Sequence, residues 1–160
     1  TIPEAYIGKK GAKIMSLQEP GKKMSKSDTN ANATILLLDD TDTIIRKFKR
    51  AVTDSESEVR YAEEKPGISN LMDIYSAVTG KTYEEIEKEF AGKGYGDFKL
   101  AVGETVADHL KPLQERYEQL MKDKAYIESM IKQNDEKAAY YANKTLRKVQ
   151  KKVGLTERIR

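Results

Sequence analysis

The chain contains no cysteine. That excludes disulfide cross-links, thiolate nucleophiles and cysteine-rich zinc sites, and it fits a reducing, cytoplasmic setting. Histidine is almost as scarce, with His109 the only one. A Ser-His-Asp triad would have to be built around it; a lone histidine in a helical stretch reads as a surface or satisfied residue. Long apolar runs are missing too. The longest, Ala33 to Leu38, falls well short of the roughly 20 residues that cross a bilayer. It reads as one buried strand or a helix turn, and no membrane partner is expected. The start, Thr1-Ile2-Pro3, has neither an initiator methionine nor an apolar leader, so it does not read as a signal peptide. It reads as a cut, and the chain is expected to be a fragment of a longer protein. Internal repeats and low-complexity tracts are also lacking.

What is present is a chain of 160 residues, 38% hydrophobic and 34% charged. It is too apolar for disorder and too charged for a membrane protein. It has room for one domain with a real core, or a small domain plus a piece of another. The net charge of +3 hides an uneven distribution. From Lys144 to Arg160 seven basic residues face one acid, Glu157, so the end carries +6 and residues 1–143 carry −3. A second basic cluster comprises Lys9, Lys10, Lys13, Lys22, Lys23 and Lys26. Two basic zones around an acidic middle suit a polyanion, nucleotide phosphate or RNA, as well as they suit ordinary solvated lysine.

Residues 1–33 are rich in breakers, among them Pro3, Gly8, Gly11, Pro20 and Gly21. Ile14-Met15 with Leu17, and later Ile35 to Leu38, read as strands or short buried segments, separated by a polar loop from Gln18 to Asn32. Helix signals dominate after that. Asp40 or Thr41 caps a helix through Arg50, with Ile44, Ile45, Phe48 and Val52 on one face. Thr53 to Lys65 reads as a connecting loop. Pro66 opens the next helix and Gly80 closes it. Thr82 with Glu85 spells a capping box for a helix that ends near Gly92, and Gly92, Gly94 and Gly96 form a turn. A long helix is predicted over 97–122, kinked at Pro112. Two further helices are predicted over 124–131 and 135–153, the last with Ala138, Ala142, Leu146, Val149 and Val153 on one face and capped by Gly154. The fold class is mainly α: a helical domain over 41–160, preceded by a loop-rich segment over 1–40.

The chemistry concentrates in Gly21-Lys22-Lys23-Met24-Ser25-Lys26-Ser27-Asp28. Lysines supply mobile positive charge that can follow a phosphate as it changes shape. Serine hydroxyls and loop N–H groups add neutral donors. Met24 can anchor the loop in an apolar pocket, and Gly21 lets the backbone bend. The glycine spacing is wrong for a Walker loop. A movable phosphate clamp and a solvated loop both remain open on these residues alone.

Lys23-Met24-Ser25-Lys26-Ser27 spells KMSKS, the second signature of class I aminoacyl-tRNA synthetases. The segments Gly11 to Leu17, Arg50 to Ser55, Pro66 to Leu71, Gly94-Tyr95-Gly96 and Leu113 to Tyr117 resemble bacterial tryptophanyl-tRNA synthetases in order and spacing. The resemblance covers nearly the whole chain.

It implies that tryptophan attacks ATP at the α-phosphorus and is then passed to tRNA(Trp). It implies a phosphate-loop role for Lys23 and Lys26 as the catalytic pair, supported by Met24, Ser25, Ser27 and the loop backbone, with Ile14 beside the adenosine. Mg2+ is implied with the ATP, and no dedicated metal site in the protein. Residues 1–40 become the end of the α/β nucleotide-binding domain, and 41–160 an anticodon-binding-type helical domain. Tyr140 and Tyr141 are expected to be either base-stacking residues or core, with core preferred for at least one; Arg116 and Tyr117 share the ambiguity. The intact enzyme is expected to be a cytoplasmic homodimer and the fragment a monomer.

One departure stands out: the chain has no HIGH-type motif, the other class I signature, and the pocket for the indole is N-terminal in the family. The fragment is therefore expected to be inactive alone, its loop unclosed and mobile. Tyrosyl-tRNA synthetase and a non-catalytic helical RNA-binding module are the alternatives.

Overall fold

The computed structural model describes residues 2–8 and 11–155. Lys9 and Lys10 of the first basic cluster, and Glu157, Arg158 and Arg160 of the second basic zone, lie outside them. Among the described residues the regular elements are five helices and no strand: α1 Thr41–Lys49, α2 Pro66–Thr79, α3 Tyr83–Glu89, α4 Tyr95–Lys122 and α5 Lys124–Val153. None is long and apolar enough to cross a membrane.

Local chemistry explains the helix ends. The Asp40 carboxylate accepts from the Thr43 N–H at 2.8 Å and starts α1, and this bond with the Thr43 hydroxyl holds its pKa below the ordinary carboxylate value. Pro66, which has no N–H to leave unsatisfied, opens α2. Gly80 closes that helix at φ 78°, a conformation that costs a side chain energy. Thr82 and Glu85 form the complete capping box of α3.

Contacts divide the chain into a first compact unit that ends at Gln114 and a second that begins at Glu115. The core belongs to the first. Ile44 and Phe48 of α1, Ile68, Leu71, Met72 and Tyr75 of α2, Ile86 of α3, and Phe98 and Val102 of α4 are buried together with Leu17. Phe90, Phe98 and Tyr75 meet edge to face at 4.8 to 5.9 Å, the arrangement that ring quadrupoles favour. At the start of α2, Gly67 lies against the chain at Val52: a Cβ there would sit 2.2 Å from the Val52 carbonyl oxygen.

Several sequence expectations are corrected. Ala33 to Leu38 is neither strand nor helix. Ala33 and Thr34 are buried, but Leu36, Leu37 and Leu38 are exposed, and the segment turns back through the Asp39 N–H to the Leu36 carbonyl at 3.1 Å. Val52 lies beyond α1 and is exposed. α4 begins at Tyr95, two residues earlier than expected, so Gly96 is helical. The two last predicted helices are one, Lys124–Val153. The residues between them, Lys132-Gln133-Asn134, are polar but include neither glycine nor proline, and polarity alone does not break a helix. No residue of α5 is buried. Tyr140 and Tyr141 are therefore not core: they are 61% and 59% exposed.

Candidate functional site

The lysine–serine loop is the far end of a small hairpin-like fold of chain. Glu19-Pro20-Gly21-Lys22 makes its first turn, closed by the Lys22 N–H to the Glu19 carbonyl at 2.8 Å, with proline and glycine in the two central turn positions. This brings two arms side by side. Met15 and Lys23 form an isolated antiparallel bridge. The Ser16 N–H donates to the Lys22 carbonyl at 2.8 Å, and the Met24 N–H donates to the Ile14 carbonyl at 3.0 Å. The sequence-predicted site residues Ile14, Lys23 and Met24 are thereby brought together.

Ile14 and Met24 rest half-buried against the core. Lys23, Ser25, Lys26 and Ser27 are exposed. Beyond Met24 the chain turns again, with the Asp28 N–H donating to the Ser25 carbonyl at 3.2 Å. The Ser25 and Ser27 hydroxyls meet at 3.0 Å, and the Ser27 N–H reaches the Ser25 hydroxyl at 3.3 Å. The lysines differ in their partners. Lys22 is paired with Glu19, whose hydrogen bond raises the lysine pKa. Lys23 and Lys26 make no ion pair among the described residues, so their charges are available to an external anion. The geometry gives two free cations and two hydroxyls on an anchored backbone, a donor set suited to phosphate oxygens. Among the described residues no group of three acidic or imidazole side chains is placed to hold a metal ion.

The supports of this loop were not read from the sequence. Asn70 of α2, 3% exposed, accepts from the Met15 N–H at 2.8 Å and donates to the Met15 carbonyl at 2.9 Å. A carboxamide carries one donor face and one acceptor face, so it substitutes for a neighbouring strand. Leu17 is tied on both sides, its N–H to the Ala33 carbonyl at 3.0 Å and its carbonyl to the Val52 N–H at 2.8 Å. The Thr34 hydroxyl donates to the Ser25 carbonyl at 2.6 Å. The signal for both residues was a polar side chain set among apolar neighbours: Asn70 before Leu71-Met72, and Thr34 inside the run that ends at Leu38.

A separate charged cluster braces the segment before α2. Lys65, 2% exposed, pairs with Glu56 and lies 3.7 Å from Asp54. Its ammonium donates to the Tyr95 hydroxyl at 3.0 Å, which donates in turn to Asp54 at 2.8 Å. The Glu56 hydrogen bond, then Tyr95, push the Lys65 pKa up against the opposing effect of burial. Burial pushes the Tyr95 hydroxyl up as well. These groups satisfy one another and hold structure.

In the second unit, α5 carries Lys144, Arg147, Lys148, Lys151 and Lys152. Tyr140 and Tyr141 contact each other edge to face at 5.4 Å, and the Lys144 ammonium lies 5.8 Å from the Tyr140 ring. Arg116 reaches Gln119 at 3.4 Å, and Tyr117 is 43% exposed. His109 is exposed.

Residues 2–111 match the family described as tRNA synthetases class I (W and Y). Among curated relatives, the tryptophan–tRNA ligase of Clostridium tetani is 52% identical over 153 residues, which is 96% of this chain and 45% of that protein. That of Clostridium perfringens is 51% identical over 158 residues, 99% of this chain and 48% of the relative. The chain thus spans about half the length of the relatives it matches. Among solved structures, tryptophanyl-tRNA synthetase of Mycoplasma pneumoniae superposes with a TM-score of 0.77 at 29% identity, covering 93% of this chain and 45% of that one. The Campylobacter jejuni enzyme, solved with ADP and tryptophan, gives a TM-score of 0.71 at 25% identity, covering 97% and 47%. The loop, the helices behind it and these matches lead to one conclusion: the chain belongs to the class I tRNA synthetases of the tryptophan and tyrosine type, and it aligns with the C-terminal part of tryptophanyl enzymes.

Proposed function

We propose that this chain supplies the ATP-phosphate loop and the tRNA-binding helices of a synthetase that activates tryptophan and charges tRNA(Trp). The observation that carries the reading is the pair Lys23 and Lys26, exposed and without ion pairs among the described residues on a backbone tied at Met24 and Ser25. In adenylate formation the tryptophan carboxylate attacks the α-phosphorus and pyrophosphate departs. Negative charge grows on the leaving group, and two mobile ammonium groups stabilise it more in the transition state than in the ground state. Ser25, Ser27 and the loop N–H groups add donors, and Ile14 offers an apolar surface for the adenosine. Mg2+ would travel with the triphosphate, because the loop offers cations and hydroxyls rather than carboxylates, and no step is assigned to it.

In this reading residues 1–40 close the nucleotide-binding domain and 41–160 form the anticodon-binding-type domain. The basic α5, with no buried residue, is the surface for the RNA backbone, and its exposure also supports the second reading, a helical RNA-binding module that acts without catalysis. The longer enzyme is a cytoplasmic homodimer and this chain by itself a monomer. The relatives above bear the tryptophan name, which favours tryptophan over tyrosine as the amino acid.

The deciding experiment replaces Lys26 by alanine in the longer synthetase. Adenylate formation, followed by ATP–pyrophosphate exchange, should slow by about 10²- to 10³-fold, the usual cost of one lost transition-state donor, while tryptophan affinity stays constant. Equal losses in both would remove the clamp role.

A further inference from the structure

The two arms of the loop are held in different ways. The first arm, Ile14 to Leu17, is fixed along its outer edge by both polar groups of Asn70 and by the ties of Leu17 to Ala33 and Val52. The second arm leaves that support after Met24. Among the described residues, one hydrogen bond reaches the signature beyond Met24 from outside the loop, from the Thr34 hydroxyl to the Ser25 carbonyl at 2.6 Å.

Thr34 is itself firmly seated. It is 9% exposed, and its carbonyl accepts from the Lys47 ammonium at 2.9 Å. Lys47, 6% exposed, also pairs with Asp39 at 2.6 Å. The Asp39 carboxylate accepts in turn from the Leu36 N–H at 2.9 Å, and Gln114 of α4 donates to the Leu37 and Asp39 carbonyls, each at 2.9 Å. A buried lysine with a carboxylate partner is costly to displace, so the donor side of the contact is tied to the body of the first unit.

The Ser25 carbonyl accepts a second bond, from the Asp28 N–H, which closes the turn that carries Lys26. One oxygen thus joins the turn of the signature to the fixed body of the first unit.

We propose that Thr34 is a positioning residue of the signature loop: its hydroxyl latches the loop at Ser25 and sets where Lys26 stands, with Lys47 and Asp39 holding Thr34 in place. A single neutral hydrogen bond to a carbonyl has a small net value, so the latch defines one position of the turn and still releases it. The bridged backbone at Lys23 and the latch at Ser25 make Met24 and Ser25 the pivot about which the turn that carries Lys26 moves. The consequence for catalysis rests on the phosphate-loop reading above; the latch itself does not.

The test follows the Asp28 amide in the 160-residue chain by hydrogen exchange, with Leu71 and Met72 of α2 as internal reference. Thr34→Val removes the hydroxyl and keeps the shape. It should speed exchange at Asp28 by about fivefold relative to the reference, the factor a typical net hydrogen bond is worth, and Thr34→Ser should restore the original ratio. Thr34→Ala serves in the same way if the valine variant does not fold. An unchanged ratio in the hydroxyl-free variant overturns the latch.

In the longer synthetase, Thr34→Val should lower kcat for ATP–pyrophosphate exchange several-fold with the tryptophan KM unchanged, and Thr34→Ser should recover it. Faster exchange at Asp28 with kcat intact overturns the positioning role in catalysis. If Lys26→Ala also leaves kcat intact, the phosphate-loop reading falls instead, and the latch is judged on Asp28 alone.

Discussion

Lys65 shows how one residue can hold a segment that has no secondary structure. It reaches from the start of α2 to Glu56, Asp54, Tyr95 and the Glu58 carbonyl, and so fixes the stretch between α1 and α2. Replacing Lys65 by methionine leaves Asp54 and Tyr95 short of a partner. Breaking a buried pair costs roughly 3–5 kcal/mol; because Glu56 is largely exposed, a loss of about 2 kcal/mol is expected at neutral pH, read from the urea midpoint. The pH dependence has a definite sign. The folded-state pKa is raised, so the contribution is complete below the ordinary lysine value of about 10.4 and is lost as pH rises beyond it towards the folded value. The wild type should lose stability across that alkaline range, and Lys65→Met should be flatter there. None of this could be read from Lys65 alone, which looks like one more solvated lysine before a proline. Lys23 and Lys26 are the opposite case: their spacing in the motif marked them, and the structure leaves both exposed.

Helix α2 separates what local chemistry reveals from what packing requires. Its bounds were legible, because proline at the first position and glycine after the last act through local backbone conformation. Its apolar residues Ile68, Leu71, Met72, Ile74 and Tyr75 are buried. The close approach of Gly67 to Val52 was not legible, since it depends on residues 15 positions away. Gly67→Ala places a methyl group where the Val52 carbonyl stands, and backbone must move on one side or the other. A loss of about 2 kcal/mol is expected from such overpacking, measurable by urea unfolding, and an unchanged midpoint would show that the approach relaxes freely. In α5 the local signals gave the end, at Gly154, but placed a break where none exists. Composition marked the interruption; helix continuity needed only the absence of proline and glycine.

For the molecule as a whole, the uneven charge is the quantity to test. The described part of α5 adds Lys144, Arg147, Lys148, Lys151 and Lys152 to one exposed helix. If that helix meets RNA backbone, the logarithm of the binding constant of the 160-residue chain for tRNA(Trp) should fall linearly with the logarithm of salt concentration. Replacing Lys148 and Lys151 by alanine should reduce the slope by about 1–2, roughly one unit for each lost phosphate contact. Filter binding across a salt series measures both, and binding indifferent to salt would remove the RNA reading. The same chain should show no ATP–pyrophosphate exchange, since it carries KMSKS without a HIGH-type partner; turnover above background would contradict this.

The sequence by itself determined the capped helix ends at Pro66, Gly80, Thr82 and Gly154, the largely helical class, the signature loop and the family, because caps, turns, apolar periodicity and motif spacing act over a few neighbouring residues. Tertiary structure decided which side chains support that loop. Asn70 lies 55 residues from Met15, and Lys47 lies 13 from Thr34. It also decided that the apolar face of α5 is left uncovered. Periodicity tells which residues share a face, but burial depends on what folds against that face, and that is settled by distant parts of the chain.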